Sequence, residues 1–263
     1  MTVVLQLSDP HFGTERPQAM AGLAQLCREL RPDLLLVTGD ITQRARRHEF
    51  AAARAFFDRL DVPARLVVPG NHDIPLFDVF SRAFHPYRRY ASAFGPALEG
   101  EFDRDDLLVI ALNTTRRWRH KHGEVSPAQV ERVADRLARA RPGQLRLVAV
   151  HQPVAVTQDA DIDNLLRGHR LAVRRWAEGG ADAVLGGHIH LPYVLALPGL
   201  PRPLWAVQAG TALSRRVRGG ITNSVNVIRA GAGRGGVVER WDLDEPTGVF
   251  RQVKAVPIGS TPA

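Results

Sequence analysis

The chain predicts an α/β fold, a single domain of two sheets packed together with helices outside. Three observations carry that expectation. As far as His190, short aliphatic runs alternate with segments of helical period. Beyond His190, strand-like runs follow one another without helices between them. Five of the earlier runs stop at a loop that at once brings an Asp, Asn or His. In α/β folds the carboxyl ends of strands are where ligands bind.

Val3 to Leu7 is the first strand, and Ser8-Asp9-Pro10-His11 follows it. Pro17 to Leu30 places Met20, Leu23, Ala24, Cys27 and Leu30 at helical spacing before Arg31-Pro32-Asp33 ends it. Leu34 to Val37 runs into Thr38-Gly39-Asp40, and Arg46 to Leu60 repeats the helical pattern. Ala64 to Val68 breaks at the turn-forming Pro69-Gly70 and delivers Asn71-His72-Asp73. This β-α-β-α-β order implies parallel strands with right-handed crossovers.

From Ile74 to Gly100 the pattern weakens, and Tyr87, Tyr90, Phe94 and neighbouring arginines suggest irregular helical turns forming a cap-like insertion over a site. Glu101-Phe102-Asp103 and Leu107 to Leu112 read as paired strands across an acidic turn. Asn113 to Glu124 is a polar loop rich in Arg and His. Ser126-Pro127-x-Gln129 then has the form of a helix cap, with Ser as N-cap and Gln in the capping-box position. Strand 145–150 ends in His151, a short helix covers His169 to Ala177, and strand 182–186 leads to Gly187-His188-Ile189-His190. Leu191–Leu197, Pro203–Gln208, Gly220–Arg229, Gly236–Leu243 and Val249–Val253 predict an antiparallel second half. The domain is expected to span 1–257, with 258–263 a loose tail.

At 263 residues, 44% hydrophobic and 24% charged, the chain has the composition of a globular protein with a full core. Cys27 is its only cysteine, which excludes a disulfide framework. No apolar run is long enough to span a membrane, and Val3 leaves no room for a signal peptide, so a cytoplasmic location is expected. The net charge of +8 points to an anionic partner. Arginine supplies nearly all of it, as the codon bias of a GC-rich genome would. The sequence shows no stripe of interleaved aromatic and basic residues, so nucleic acid is not an expected partner. A homodimer is compatible with such a chain.

Asp9, His11, Asp40, Asn71, His151, His188 and His190 are seven oxygen or nitrogen donors. Mixed carboxylate and imidazole sets suit Mn, Fe, Zn, Co or Ni rather than Ca or a thiolate-bound zinc. Seven donors are too many for one catalytic ion with an open position, and they fit two ions sharing one carboxylate. The blocks Asp9-x-His11, Gly39-Asp40, Gly70-Asn71-His72-Asp73, His151 and Gly187-His188-x-His190 resemble, in order, those of the calcineurin-like metallophosphoesterase superfamily. The resemblance covers residues 9 to 190 and implies a four-layer α/β/β/α sandwich of two mixed sheets flanked by helices. It implies one divalent transition-metal ion on Asp9, His11, Asp40 and His190, and a second on Asp40, Asn71, His151 and His188. Asp40 would bridge them, and a metal-bridging hydroxide would attack the phosphoryl group. His72 would contact the substrate phosphate and assist the leaving oxygen. The family often has a carboxylate three positions after the bridging aspartate, to orient that histidine. Gln43 stands there instead and brings no charge to that position.

Within the superfamily the chain is most similar to the class III cyclic nucleotide phosphodiesterases, compact bacterial enzymes without a large added domain. That resemblance implies a metal-dependent phosphoric ester hydrolase acting on anionic phosphodiesters, cyclic nucleotides among them. The alternatives are a UDP-diacylglucosamine-type pyrophosphohydrolase, a phosphomonoesterase and a non-catalytic binding scaffold. The pyrophosphohydrolases usually have arginine at the His72 position and an apolar lid, whereas segment 74–100 reads as basic and aromatic. Scaffold relatives typically lose ligands, and here every ligand position is filled. Arg116, Arg117, Arg119, His120 and His122 are expected to line the substrate cleft or to form a solvated turn.

Overall fold

A computed structural model describes residues 1–259 of the chain. The first sheet contains β1 (Val3–Leu7), β2 (Leu34–Thr38), β3 (Ala64–Val68), β10 (Ser224–Ala230), β11 (Gly235–Asp244) and β12 (Val249–Gly259). Its order is β12-β11-β10-β1-β2-β3. The second contains β4 (Gly100–Arg104), β5 (Leu107–Ala111), β6 (Leu145–Ala149), β7 (Ala183–Gly186), β8 (Tyr193–Ala196) and β9 (Trp205–Gln208), in the order β4-β5-β6-β7-β9-β8. β1, β2 and β3 are mutually parallel, as are β5, β6 and β7.

Alternation along the strands sorts the core into layers. Val4, Leu34, Leu36, Val109, Leu147, Leu185 and Ile228 lie between the sheets. Their neighbours Leu5, Leu35 and Val37 face the other way, onto Leu23 of α1 (Pro17–Leu30) and Phe50 and Phe57 of α2 (Arg47–Arg59). Leu108 and Val148 pack against α5 (Pro127–Ala138) and α6 (His169–Gly179), where Trp176 is fully buried. Strands buried on both faces read as continuous aliphatic runs, which is why the sequence displays them so plainly. The product is the expected four-layer α/β/β/α sandwich.

Three expectations are corrected. The second half is not wholly antiparallel, because β9 lies parallel to β7 and only then hairpins with β8. β12 continues past Val253 to Gly259, since Ile258 pairs with Gly236 and packs between the sheets. The expected tail therefore loses Ile258 and Gly259, and residues 260–263 lie outside the described ones. Segment 74–100 holds α3 (Val79–Phe84) and α4 (Arg88–Phe94), and α4 is core rather than cap. Tyr90 is buried, meets Phe50 edge to face and donates to the Val67 carbonyl at 2.7 Å. Only residues from 74 to 89 reach the cleft described below.

Candidate metal centre

The carboxyl ends of β1, β2 and β3 meet those of β6 and β7 at one edge of the sandwich. There the chain turns sharply. Nine non-glycine residues among those described have positive φ, and five are Asp9, His11, Asp40, His188 and His190. Left-handed backbone at non-glycine residues costs energy, and such strain concentrates at functional sites. The loops then lock together. Asp9 and His11 donate backbone N–H groups to Gly39 and Asp40 carbonyls, and the His188 N–H donates to Asp9 Oδ2 at 2.8 Å. Glycine is required at two of these crossings. A Cβ at Gly70 would strike the Asp40 backbone, and one at Gly187 would strike the Ser8 and Asp9 side chains.

Two groups of side chains result, Asp9 with His11 and His190, and Asp40 with His151 and His188. Within each, the candidate ligand atoms lie within 4.8 Å of one another. Asp40 faces both. Its Oδ2 is 3.8 Å from His11 Nε2 and its Oδ1 is 3.3 Å from His151 Nε2. Asn71 Oδ1 stands 3.2 Å from His151 Nε2, on the second group. Backbone carbonyls fix the imidazoles from behind. His151 Nδ1 donates to Thr38 O at 2.7 Å and His190 Nδ1 to Arg216 O at 2.7 Å. A carbonyl only accepts, so Nδ1 carries the proton and Nε2 is turned into the site.

Burial disfavours charge at both aspartates, but imidazoles outweigh it. His190 and His151 hold Asp9 well below the carboxylate range, and His151 and His72 do the same to Asp40. Burial also opposes protonation of His151, yet Asp40 and Asp9 lift it to about 9. His190 is raised in the same sense, with Asp9 overcoming its burial. His11 and His188 fall to about 3 because burial dominates. As protein groups alone, Asp40 and Asp9 favour the protonated forms of His151 and His190, beside two imidazoles that burial keeps neutral.

The donors also fit cations on grounds of hydrogen bonding. Neither ring nitrogen of His188 has a hydrogen-bond partner although both are buried. Asp9 Oδ1 has no well-formed hydrogen bond, with His190 Nε2 at 3.3 Å and His11 Nε2 at 3.8 Å. His11 Nε2 and His190 Nε2 face each other at 3.1 Å. Buried polar atoms left in this state cost free energy that a shared cation recovers.

His72 stands outside both groups, above Asp40. Its N–H donates to Asp40 Oδ1 at 2.8 Å, and its Nδ1 donates to the Gln43 carbonyl at 2.9 Å. The main chain of Gln43 thus does the orienting expected of a side-chain carboxylate. Asp73 is not a ligand. Its carboxylate accepts from the N–H groups of Ile41, Thr42 and Gly70 and from the Thr42 hydroxyl. Burial and the charge of Asp40 push its pKa up to about 6 despite these donors.

A cleft of about 930 Å³ opens over the site, and its lining departs from expectation. His120 and Lys121 border it, but Arg116, Arg117, Arg119 and His122 do not. Arg116 binds Gln129 and two loop carbonyls, Arg117 binds the Ala83 carbonyl, Arg119 pairs with Glu124, and His122 meets the Asp163 carbonyl. Those four residues are spent on holding their own loop.

Arg216 is the cation that sequence reading missed. Its Nη1 lies 3.2 Å from His11 Nε2, 3.4 Å from His72 Nε2 and 3.5 Å from Gln43 Oε1. It sits between β9 and β10, outside every motif block, so no spacing signal marked it.

Comparison with known proteins agrees with this geometry. Residues 2–192 match the model of the calcineurin-like phosphoesterase family. The chain is 26% identical over 174 residues to a probable cyclic nucleotide phosphodiesterase of Rhodococcus erythropolis, covering 65% of this chain and 56% of that one. It is 28% identical over 217 residues to a cAMP/cGMP dual specificity phosphodiesterase of Mycobacterium tuberculosis, covering 76% and 65%. The matches thus span less than two thirds of either relative. A dimetal phosphatase from Danio rerio has the same fold at TM-score 0.68 and 14% identity, with 99% of both chains covered. With its five motif blocks gathered at one sheet edge, the chain belongs to the calcineurin-like phosphoesterase family.

Proposed function

We propose that the chain is a phosphodiesterase that works with two divalent transition-metal ions, Mn, Fe, Zn or Co, on anionic diesters that include cyclic nucleotides. The observation that carries this reading is Asp40, whose two oxygens address two separate imidazole groups. Asp9, His11, Asp40 and His190 would hold one ion, and Asp40, Asn71, His151 and His188 the other. Bound there, such ions supply Lewis acidity and a nucleophile at neutral pH.

The chain's own residues supply the rest. Carbonyls of Thr38 and Arg216 keep Nε2 of His151 and His190 pointed inward. His72 Nε2 and the Arg216 guanidinium converge where a phosphoryl group would enter, one to contact its oxygens or the leaving oxygen, the other to offset its charge. Phe77 and Arg44 line the outer cleft, which is large enough for a nucleoside. The names of the two curated relatives support a diester over a monoester.

The test is hydrolysis by metal-reconstituted protein of cyclic nucleotides, bis-p-nitrophenyl phosphate, p-nitrophenyl phosphate and UDP-sugars, with elemental analysis. Diesters should be preferred, Asp40→Ala should deplete both ions, and Asn71→Ala mainly one. Full activity with a single ion per chain would sink the two-ion reading, and preference for the monoester would sink the diester.

A further inference from the structure

Helix α3 is inverted for a surface helix. Arg82 is its buried residue, while Val79, Phe80 and Phe84 are 72%, 69% and 64% exposed. The buried guanidinium explains the inversion. It donates to the Pro75 carbonyl at 3.2 Å and the Arg119 carbonyl at 2.7 Å, and Arg117 returns a bond to the Ala83 carbonyl. These bonds draw the loop around Trp118 against the helix, and Trp118 is itself exposed. The Phe80 and Phe84 rings lie 4.9 Å apart. Leu76 and Phe77, also exposed, continue the ridge to the cleft, where the Arg44 guanidinium lies 5.4 Å from the Phe77 ring. An apolar ridge of this extent on a globular chain marks an interaction surface.

The charge around it is one-sided. Segments 44–47, 74–98 and 116–122 carry ten Arg and Lys residues and a single carboxylate, Asp78. Asp78 is already paired with Arg89 at 2.6 Å. The linear sequence hides this patch because its parts come from three separate segments.

We propose that the ridge seats on an anionic lipid bilayer surface. Exposed Phe, Trp, Leu and Val enter the headgroup region, flanking arginines meet lipid phosphates, and the cleft opens along the same edge. Aromatic and aliphatic side chains ringed by cations are what interfacial binding requires. A second copy fits poorly, since even with Arg82 buried and Arg89 and Arg119 paired to Asp78 and Glu124, face-to-face pairing would set seven cations against seven. No helix among the described residues is long and apolar enough to cross a membrane, so the contact is peripheral.

Sedimentation of the full chain with vesicles tests this, and it reads binding whether or not the hydrolytic reading holds. The vesicles are phosphatidylcholine alone, and phosphatidylcholine with an equal part of phosphatidylglycerol. Binding to the anionic vesicles should exceed that to neutral ones by at least about tenfold and weaken as salt rises. The double variant Phe80→Ser/Phe84→Ser lies outside the cleft lining. It should lose about tenfold in vesicle binding while keeping the parent's melting temperature and its rate on soluble bis-p-nitrophenyl phosphate. Absence of parent binding to the anionic vesicles, or equal binding by parent and variant, would overturn the proposal. So would a dimer in solution that the same two substitutions dissociate, because a second copy would then cover the ridge.

Discussion

Arg216 and Gln43 make sense as a pair. A carboxylate at position 43 would lie close enough to neutralise the guanidinium and draw it off the cleft. The amide offers Arg216 an acceptor at 3.5 Å without cancelling its charge. Arg216→Ala should therefore raise KM for anionic diesters by about 10- to 100-fold, the scale of one charged hydrogen bond of about 1–3 kcal/mol, with both ions retained. Gln43→Glu should move KM in the same direction by a smaller factor. If instead the new carboxylate raised kcat and left KM alone, residue 43 would act through His72 rather than through Arg216. Steady-state kinetics with elemental analysis of each variant separates the two. The candidate ligands were legible at this scale because Asp, Asn and His arrive directly after aliphatic runs. Arg216 was not, because an arginine in a coil rich in arginine carries no local signal. Arg116, Arg117, Arg119 and His122 misled for the same reason, since density of charge in a loop does not say which way its side chains point.

Among the elements, the loops after β2 and β3 decide whether the two ligand groups meet. Asp73 ties them together, accepting from Ile41 and Thr42 on one side and Gly70 on the other. Asp73→Asn keeps the shape but sets an NH₂ against N–H donors, leaving at least one buried donor unpaired. A loss of about 2–4 kcal/mol is expected, read as a lower midpoint in urea unfolding. Thr42→Val, which removes only the hydroxyl bonds, should cost about 1–2 kcal/mol. A parent-like midpoint for Asp73→Asn would mean that the loops hold without this carboxylate. Element positions were readable because most strands are buried on both faces and α1 and α2 keep a clean apolar stripe. Strand direction was not readable, since period-two burial is the same for parallel and antiparallel neighbours, and β9 was accordingly misjudged. β12 was cut short for another reason. Its stretch from Arg251 to Ala255 is exposed, and only Ile258 returns it to the core.

For the molecule as a whole, the fold draws buried acid and base together from opposite ends of the chain. His190 Nε2 and the carboxylate of Asp9, 181 positions apart, meet at 3.3 Å, on a chain whose net charge is +8. That convergence makes ion binding a proton-release reaction. His151 is lifted to about 9 by Asp40 and Asp9 against the effect of its burial, and His190 is raised by Asp9, so at neutral pH His151 holds a proton until an ion arrives. Ligation needs a neutral Nε2, and the proton must leave. The sign follows directly. Affinity should climb with pH across the range below about 9, by about tenfold per pH unit for each proton released, and level off above it. Calorimetric titration of the stripped protein with Mn or Zn at neutral pH measures this, in buffers of differing ionisation enthalpy. The observed heat should vary linearly with that enthalpy, with a slope near one proton for the group around His151. Asp40→Asn removes the charge that raises His151, so its slope should fall even where some ion still binds. Heats independent of buffer would mean that both imidazoles are neutral before the ions arrive, and that the carboxylates are poised for metal without first pairing with histidine.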